Sequence, residues 1–416
     1  MADIRRHSLY LRLAALVLAT AASTGCVVQE TRPLARVDAK QALEVIPPEQ
    51  RLDVVVHTFD PGIPEDLAGD EDALATKRIY PELRKAEARY FPVVLRNTLE
   101  SSAQWGAVRV APQSVEFVDL AVDGRIIEST GKHLALEVTA RDATGRVWLD
   151  GKRYEGEADI GSYKTDAALK ARDPFQNIYS NIANDLLAAR AALDAAALRE
   201  VRHVAQLSFG ADLAPEALSG YLREDTSTKP ALTRVVRLPA ENDPVAERVE
   251  RIRERDTAVV DTLDGYYTGF SEQMQLSYGD FRRTSYDEID KEERARRSAR
   301  TRTFLGAAAV LAAIFVPGSC DSQASCDLES VARYAGTAGG IAGFLSGLDK
   351  YADARTHAQA FGELARSMQS EVAEQVVDVE GRSLKLTGTA EEQYRQWREL
   401  LRDYQAGEAA PDHGEP

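Results

Sequence analysis

The hydrophobic positions of residues 51–204 alternate between strand-like and helix-like spacing. The run LDVVVHTFD, residues 52–60, is apolar and β-branched, which is typical of a buried strand. Between Pro81 and Ala103 apolar side chains recur every three or four residues, which predicts a helix with one apolar face. Pro92 lies inside this stretch and either kinks the helix or marks its start. A short strand, GAVRVAP, follows.

Three extended segments come next and predict an antiparallel meander. They read VEFVDLAVDGRIIES, KHLALEVTARDA and GRVWLDGKRYEGEAD, with the turn sequences STGKH and DATGR between them. In the second segment Leu134, Leu136 and Val138 alternate with more polar residues, so one face of the strand is apolar. A helix starting near Pro174, NIYSNIANDLLAARAALDAAAL, is expected to pack over this sheet. Residues 51–204 are thus predicted to form a small α/β domain with a mixed or antiparallel sheet.

The second half of the chain is mainly helical in pattern. Residues 205–243 are irregular and predict a linker, and residues 244–375 predict a helical domain broken around LSYGDF. Residues 376–407 predict a β-hairpin and a last helix, with Thr389 and Glu392 spaced as a capping box. The tail, 408–416, is polar and predicted to be disordered. The expected fold class is therefore α+β.

Two apolar stretches inside the helical domain predict a helical hairpin over residues 303–348. Phe304–Val316 is 13 residues long, so as a helix it rises about 20 Å, whereas a bilayer core is about 30 Å thick. The second stretch, YAGTAGGIAGFLSGL, repeats glycine at four-residue spacing, which lets another helix approach closely. These helix-packing glycines are Gly336, Gly339, Gly340, Gly343 and Gly347.

The use of this hairpin stays open at this point. It is either the buried centre of the helical domain, a segment that contacts or enters lipid, or a joint between subunits. An arginine-rich run just before it, residues 294–302, favours a membrane surface. The acidic residues at 287–293 allow a solvated, salt-bridged face instead.

The N-terminus, MADIRRHSLYLRLAALVLATAASTGC, has the layout of a secretory signal over residues 1–25. Its end, STGC, resembles a bacterial lipoprotein box, although Ser23 stands where leucine is commoner. The resemblance implies that Cys26 carries acyl chains, with residues 26–50 as a lipidated tether. Val27 and Val28 lack the aspartate that retains some lipoproteins at the inner membrane, which favours the periplasmic face of the outer membrane. The alternative is an ordinary signal peptide with a coincidental cysteine.

The net charge limits the classes of binding partner, and the cysteine content indicates a disulfide. The formal net charge is −15, which disfavours nucleic acid and anionic headgroups as main partners. If Cys26 is acylated, only Cys320 and Cys326 remain, and an oxidising periplasm favours a disulfide between them.

The sequence contains few candidates for chemistry. The six histidines are scattered, and His57 and His133 fall in predicted strands, where a hydrogen-bonded imidazole is the expected role. There is no P-loop, dinucleotide fingerprint or nucleophile elbow. An acidic loop is either solvated or a calcium site; it comprises Asp60, Glu65, Asp66, Asp70, Glu71 and Asp72. We expect no enzyme activity, cofactor or metal.

Residues 50–190 resemble a known superfamily of envelope proteins. The matching elements are residues 52–60, 90–110, 118–126 and 134–147. They are similar to the curli secretion channel lipoprotein, the penicillin-binding-protein activator lipoproteins and the N-terminal domain of the Tol-system propeller protein. The resemblance implies envelope assembly, partner binding or export, and it brings no catalytic residues.

The expected function is a non-enzymatic outer-membrane lipoprotein that acts as a scaffold or accessory factor of the cell envelope. Its expected partners are the membrane, through Cys26, and an envelope protein, with a homo-oligomer as a further option. The alternative is an oligomeric export or pore component whose helical hairpin enters the membrane.

Overall fold

A computed structural model describes residues 34–163, 172–315, 375–379 and 382–409. It confirms a mixed α+β fold, in which a five-stranded sheet with helices is followed by a long helix, a strand pair and a last helix. All the elements below belong to the unit Arg36–Pro416. The predicted domain boundaries themselves stay predictions.

The sheet contains β1 (Val54–His57), β2 (Val108–Ala111), β3 (Leu120–Ser129), β4 (His133–Asp142) and β5 (Val147–Glu157). Its order is β2-β1-β3-β4-β5, with β1 parallel to both β2 and β3 and an antiparallel meander from β3 to β5. The predicted strand, helix, strand and meander are therefore confirmed.

Burial on both faces explains why β1 reads as an unbroken apolar run. Val54 and Val56 lie in one hydrophobic cluster and Val55 lies in another. Side chains alternate across a strand, so a strand that is covered on both sides carries apolar residues at successive positions, as Val54–Val56 do here.

Two helices follow β1. The short helix α1 (Glu71–Thr76) is capped by Asp70, whose side chain accepts a hydrogen bond from the backbone N–H of Ala73. The helix α2 (Pro81–Ser101) begins with proline at its first turn and runs through Pro92. Because the helix starts at Pro81, Pro92 lies inside it and does not mark its start.

The predicted single helix after Pro174 is two helices, α3 (Gln176–Ala191) and α4 (Ala195–Leu213). The break has a local cause, because the Asp194 side chain accepts a hydrogen bond from the N–H of Ala197 and so caps α4.

The stretch predicted as irregular also contains regular structure. α4 extends to Leu213, the short helix α5 (Pro215–Leu218) follows, and β6 (Leu222–Asp225) pairs antiparallel with β7 (Leu232–Val235). Sequence periodicity missed this hairpin because each strand is only four residues long.

The long helix α6 (Pro244–Phe315) contains 72 residues, which corresponds to about 108 Å. The predicted break around LSYGDF is wrong, since the helix passes through residues 276–281 without interruption. Tyr278 within this stretch is buried against the domain, and tertiary packing of that kind overrides the low helix propensity of Gly279.

The C-terminal hairpin is confirmed. β8 (Gln375–Val379) pairs antiparallel with β9 (Arg382–Leu386), and Val377 lies opposite Leu384. The last helix, α7 (Ala390–Ala409), starts at the predicted capping box, in which Glu392 accepts a hydrogen bond from the N–H of Thr389 at 2.8 Å.

Two hydrophobic clusters form the core. The first joins the sheet to α2, α3 and the middle of α6, and the second joins β1 and β2 to α4, α7 and the first part of α6. α6 therefore takes part in both clusters.

The described end of the predicted tether is held to the domain as an N-terminal strap, residues 36–50. The N–H of Val37 donates to the side chain of Asn177, and the N–H of Lys40 donates to that of Asn184, both at 2.9 Å. Ala42 donates to the carbonyl of Ser102. The strap therefore follows α3 before it enters β1.

Candidate functional site: polar seams beneath the long helix

Two groups of buried polar side chains fix α6 to the rest of the fold. We call the first the central seam (Glu87, Ser129, Asp173, Tyr278 and Arg282). The second is the C-terminal seam (Asp212, Asp256, Tyr394, Trp397 and Arg398). Both lie where α6 passes over other elements, so they decide how the helix is held.

Glu87 is the centre of the central seam. It belongs to α2 and is 1% exposed. One of its carboxylate oxygens accepts hydrogen bonds from Ser129 in β3 and Tyr278 in α6, both at 2.7 Å. The other oxygen lies 3.8 Å from the guanidinium of Arg84. One carboxylate thus connects the long helix, α2 and the sheet.

Arg282 lies one turn beyond Tyr278 on the same face of α6. Its guanidinium forms a 2.9 Å ion pair with Asp173, and both side chains are about 5% exposed. The guanidinium also lies 4.4 Å from the centre of the Tyr278 ring. A charge buried this deeply needs both kinds of contact to offset the loss of water.

The turn between β3 and β4 packs directly against α6. A side chain at Gly131 would place its Cβ 2.0 Å from the carbonyl oxygen of Arg282, so only glycine fits here. The ammonium of Lys132 pairs with Asp290 and Glu293 at 3.1 and 2.6 Å, and the ring of His133 lies 2.9 Å from Glu293. Backbone fit and charge together lock this turn to the helix.

The C-terminal seam attaches α7 to α6. Asp256 of α6 accepts hydrogen bonds from Trp397 at 2.9 Å and Tyr394 at 3.2 Å. Arg398, one residue further on, forms a 2.5 Å ion pair with Asp212 of α4 and lies 4.9 Å from the Phe209 ring centre. The last helix is thereby joined to two others.

Burial changes the proton affinity of both seam carboxylates. Burial raises the pKa of Glu87, while Arg84 and the hydrogen bonds from Tyr278 and Ser129 oppose the rise. Burial likewise raises the pKa of Asp256, against the effect of Arg398. Each carboxylate is more easily protonated here than in water.

A third buried carboxylate, Asp119, lies beside a cavity of about 60 Å³ that is lined by β1, β2, the segment 115–119 before β3, α4 and α6. One oxygen accepts a 2.9 Å hydrogen bond from the N–H of Asp53, and the other has no hydrogen-bond partner among the described residues. Burial raises the pKa of Asp119 to about 6; the hydrogen bond from the N–H of Asp53 opposes the rise, and the charge of the Asp53 carboxylate adds to it. A cavity of this size holds a water molecule or two.

The chemistry of the seams suits attachment. Charged groups on α6 pair with charged groups on neighbouring elements. These pairs hold the part of α6 that comprises residues 252–293 against the domain. Beyond Glu293 the helix continues for 22 residues to Phe315, about 33 Å along its axis. The apolar stretch that begins at Phe304 is therefore an extension of a helix held by the domain.

The site residues predicted from the sequence do not coincide with these seams. Cys26, Cys320 and Cys326 lie outside the described residues, as do the helix-packing glycines Gly336, Gly339, Gly340, Gly343 and Gly347. The lipid attachment, the disulfide and the second arm of the hairpin stay predictions.

The acidic loop forms internal contacts. Asp60 accepts a hydrogen bond from the N–H of Gly62 and pairs with Arg125, and Asp70 caps α1. In the part of the chain that the structure describes, no three histidine, cysteine or acidic residues are grouped so as to hold a metal ion.

The two strand histidines are hydrogen-bonded, as predicted. The ring of His57 lies 2.9 Å from Asp123 and 2.9 Å from the carbonyl of Val115. His133 contacts Glu293, as described above.

The sequence contains a signal for the central seam, namely charged residues on the apolar face of α2 and a repeated spacing on α6. Arg84 and Glu87 lie on the buried face of α2 between Leu83 and Phe91. Tyr278, Arg282 and Tyr286 recur at four-residue spacing on α6. Charges inside an apolar helix face indicate buried ion pairs, but only the tertiary structure shows which residues pair.

Comparisons with known proteins show no family for this chain. No family model matches the chain, and no curated protein matches it. Among solved structures, a PelC dodecamer from Paraburkholderia phytofirmans is similar at 11% identity, with a TM-score of 0.20, over 36% of this chain and 94% of that one. Within the described residues, no helix is long and apolar enough to cross a membrane.

Proposed function

We propose that this protein is a lipid-anchored, non-enzymatic scaffold of the bacterial cell envelope, attached through Cys26 at the periplasmic face of the outer membrane. The N-terminal sequence up to STGC supports the anchor. The resemblance of residues 50–190 to envelope lipoproteins supports the compartment and the scaffold role.

The observation that carries the scaffold role is the course of α6. Two polar seams hold its first 50 residues to the domain, and the same helix continues into the apolar stretch from Phe304. A helix fixed at one end presents its other end at a set distance. An envelope protein partner would bind this helix or the domain surfaces beside it.

The strap limits how far the domain can lie from the bilayer. Val37 is hydrogen-bonded to α3 and follows Cys26 by eleven residues. Eleven extended residues span at most about 40 Å. If Cys26 carries the acyl chains, the first domain therefore stays within that distance of the membrane.

The anchor is tested by mass spectrometry and fractionation of bacteria that produce the full chain. We expect the N-terminal peptide of the mature protein to start at an acylated Cys26, and the protein to sediment with membranes. The variant Cys26→Ala, produced with the secretion signal of a soluble periplasmic protein in place of residues 1–25, should appear in the soluble fraction after carbonate washing. Cys320→Ala, which also removes one thiol, is the matched control and should remain with the membranes.

Two results would contradict the proposal. An unacylated or uncleaved N-terminal peptide would remove the anchor. A Cys26→Ala variant that resists carbonate washing would show that another segment enters the lipid, as in the pore-type alternative. Light scattering of the detergent-solubilised protein separates the assemblies, since a scaffold should be a monomer or dimer and an export component a larger ring.

A further inference from the structure

A cavity of about 260 Å³ lies at the carboxyl end of β1, between α2, α6 and α7. Thr58 and Phe59, which directly follow β1, form part of its wall. β1 is the central strand of the parallel set, and the chain turns to β2 on one side of it and to β3 on the other. Crevices at this position of a sheet are where α/β folds place ligands.

The lining of the cavity is positively charged. Lys85 and Arg89, one turn apart on α2, both contribute to it, against a single acid, Glu391. Arg89 has no acidic partner among the described residues, and its Nη1 atom is buried without a hydrogen-bond acceptor. A guanidinium without an acceptor is unfavourable, and an anion in the cavity would supply one.

The start of α7 adds to this positive potential. Ala390 and Glu391, in its first turn, line the cavity. The hydroxyl of Thr389 accepts the N–H of Glu392, whereas the earlier N–H groups of a helix have no partner within the helix. The partial positive charge of a helix N-terminus favours a carboxylate nearby.

Three aromatic side chains also line the cavity, namely Phe59, Tyr266 and Tyr267. A cavity of about 150 Å³ is enough for benzene, so this one is large enough for a ring that carries an acidic group. The lining's net charge of about one favours a monoanion over a phosphate dianion.

We propose that this cavity binds a small organic monoanion, a carboxylate joined to a ring, with Lys85 and Arg89 contacting the carboxylate and the aromatic residues contacting the ring. The proposal is independent of the lipid anchor. It assigns a ligand site to a protein otherwise proposed to act by attachment alone.

Calorimetric titration of the full-length protein with phenylacetate tests the site. We expect one ligand per chain with a dissociation constant of about 1 mM, as befits ten heavy atoms in a preformed cavity. The uncharged analogue 2-phenylethanol should bind at least tenfold more weakly, and so should inorganic phosphate. Equal binding of either compound would overturn the proposal, as would the absence of saturation by phenylacetate at 20 mM.

Variants locate the site. Arg89→Gln should weaken phenylacetate binding at least tenfold, since it removes the charge that pairs with the carboxylate. Lys85→Glu reverses an exposed charge, so folding is expected to be retained and binding should fall at least tenfold. Lys77→Glu, a charge reversal at an exposed lysine outside the cavity, is the control and should leave binding unchanged; among the described residues it breaks no ion pair, unlike Lys85→Glu, which breaks that of Lys85 with Glu82. Equal binding by the Lys85 and Lys77 variants would overturn the assignment.

Discussion

Replacing Asp119 with asparagine should stabilise the protein, and the gain should grow with pH. The carboxylate is 2% exposed and has a pKa of about 6, against an ordinary value of 3.8. Asparagine keeps the shape and an oxygen that can accept the N–H of Asp53. It removes the ionised form that burial disfavours, together with the 3.6 Å ion pair with Arg202, whose effect is already included in the raised pKa.

The magnitude follows from the pKa difference. Between pH 3.8 and 6 the folded state binds a proton that the unfolded state has released, so the native protein's stability rises as the pH falls through this range. Above pH 6 the group is ionised in both states, and folding bears the full cost of about 3 kcal/mol. Asp119→Asn should therefore gain about 3 kcal/mol at pH 8 and almost nothing at pH 4.

The assay is urea denaturation followed by circular dichroism at unit steps from pH 4 to pH 8, with both proteins compared at each step. Asp150→Asn, which removes an exposed carboxylate from β5, serves as control and should change stability by less than about 0.5 kcal/mol at every pH. Parallel curves for Asp119→Asn and the native protein would refute the reasoning. So would a variant that is less stable at pH 8.

Three further changes test the attachment of α6 and α7, each by chemical denaturation at pH 7. Gly131→Ala should lower the free energy of unfolding by about 3 kcal/mol, because the new Cβ would lie 2.0 Å from the backbone of α6. Gly279→Ala, at an open position within α6, should raise it by about 1 kcal/mol. Similar effects of the two changes would contradict the close fit. Asp173→Asn should lower the free energy of unfolding by about 3 kcal/mol, because it leaves Arg282 buried without its ion-pair partner. Adding Arg282→Met should restore most of this loss. A double variant that is no more stable than Asp173→Asn would argue against the ion pair. Thr389→Ala should cost about 1 kcal/mol through loss of the α7 cap, and an unchanged midpoint would count against that role.

Local patterns were sufficient to predict the elements that carry their own signals. The alternation around Leu136 predicted β4, and the capping box at Thr389 predicted the start of α7. In these segments burial, propensity and capping all favour the same structure.

One error had a local cause, and the others had long-range causes. The helix breaks at Asp194 because of a cap rather than a loss of periodicity. α6 continues past Gly279 because Tyr278 and Arg282 are bound by residues nearly 200 and more than 100 positions earlier in the chain. The cavity at the end of β1 was also beyond prediction, since its lining comes from four separate parts of the sequence.

The strap has a mechanical consequence when the chain is pulled from a point N-terminal to Val37. From Val37 to Lys40 the extended chain advances about 10 Å, and from Asn177 to Asn184 the helix advances about the same distance. The two hydrogen bonds are thus equally spaced along the strap and along α3. Tension along the strap therefore loads both bonds together in shear instead of breaking them one after the other. Force applied N-terminal to the strap would be spread along α3 before it reached the sheet.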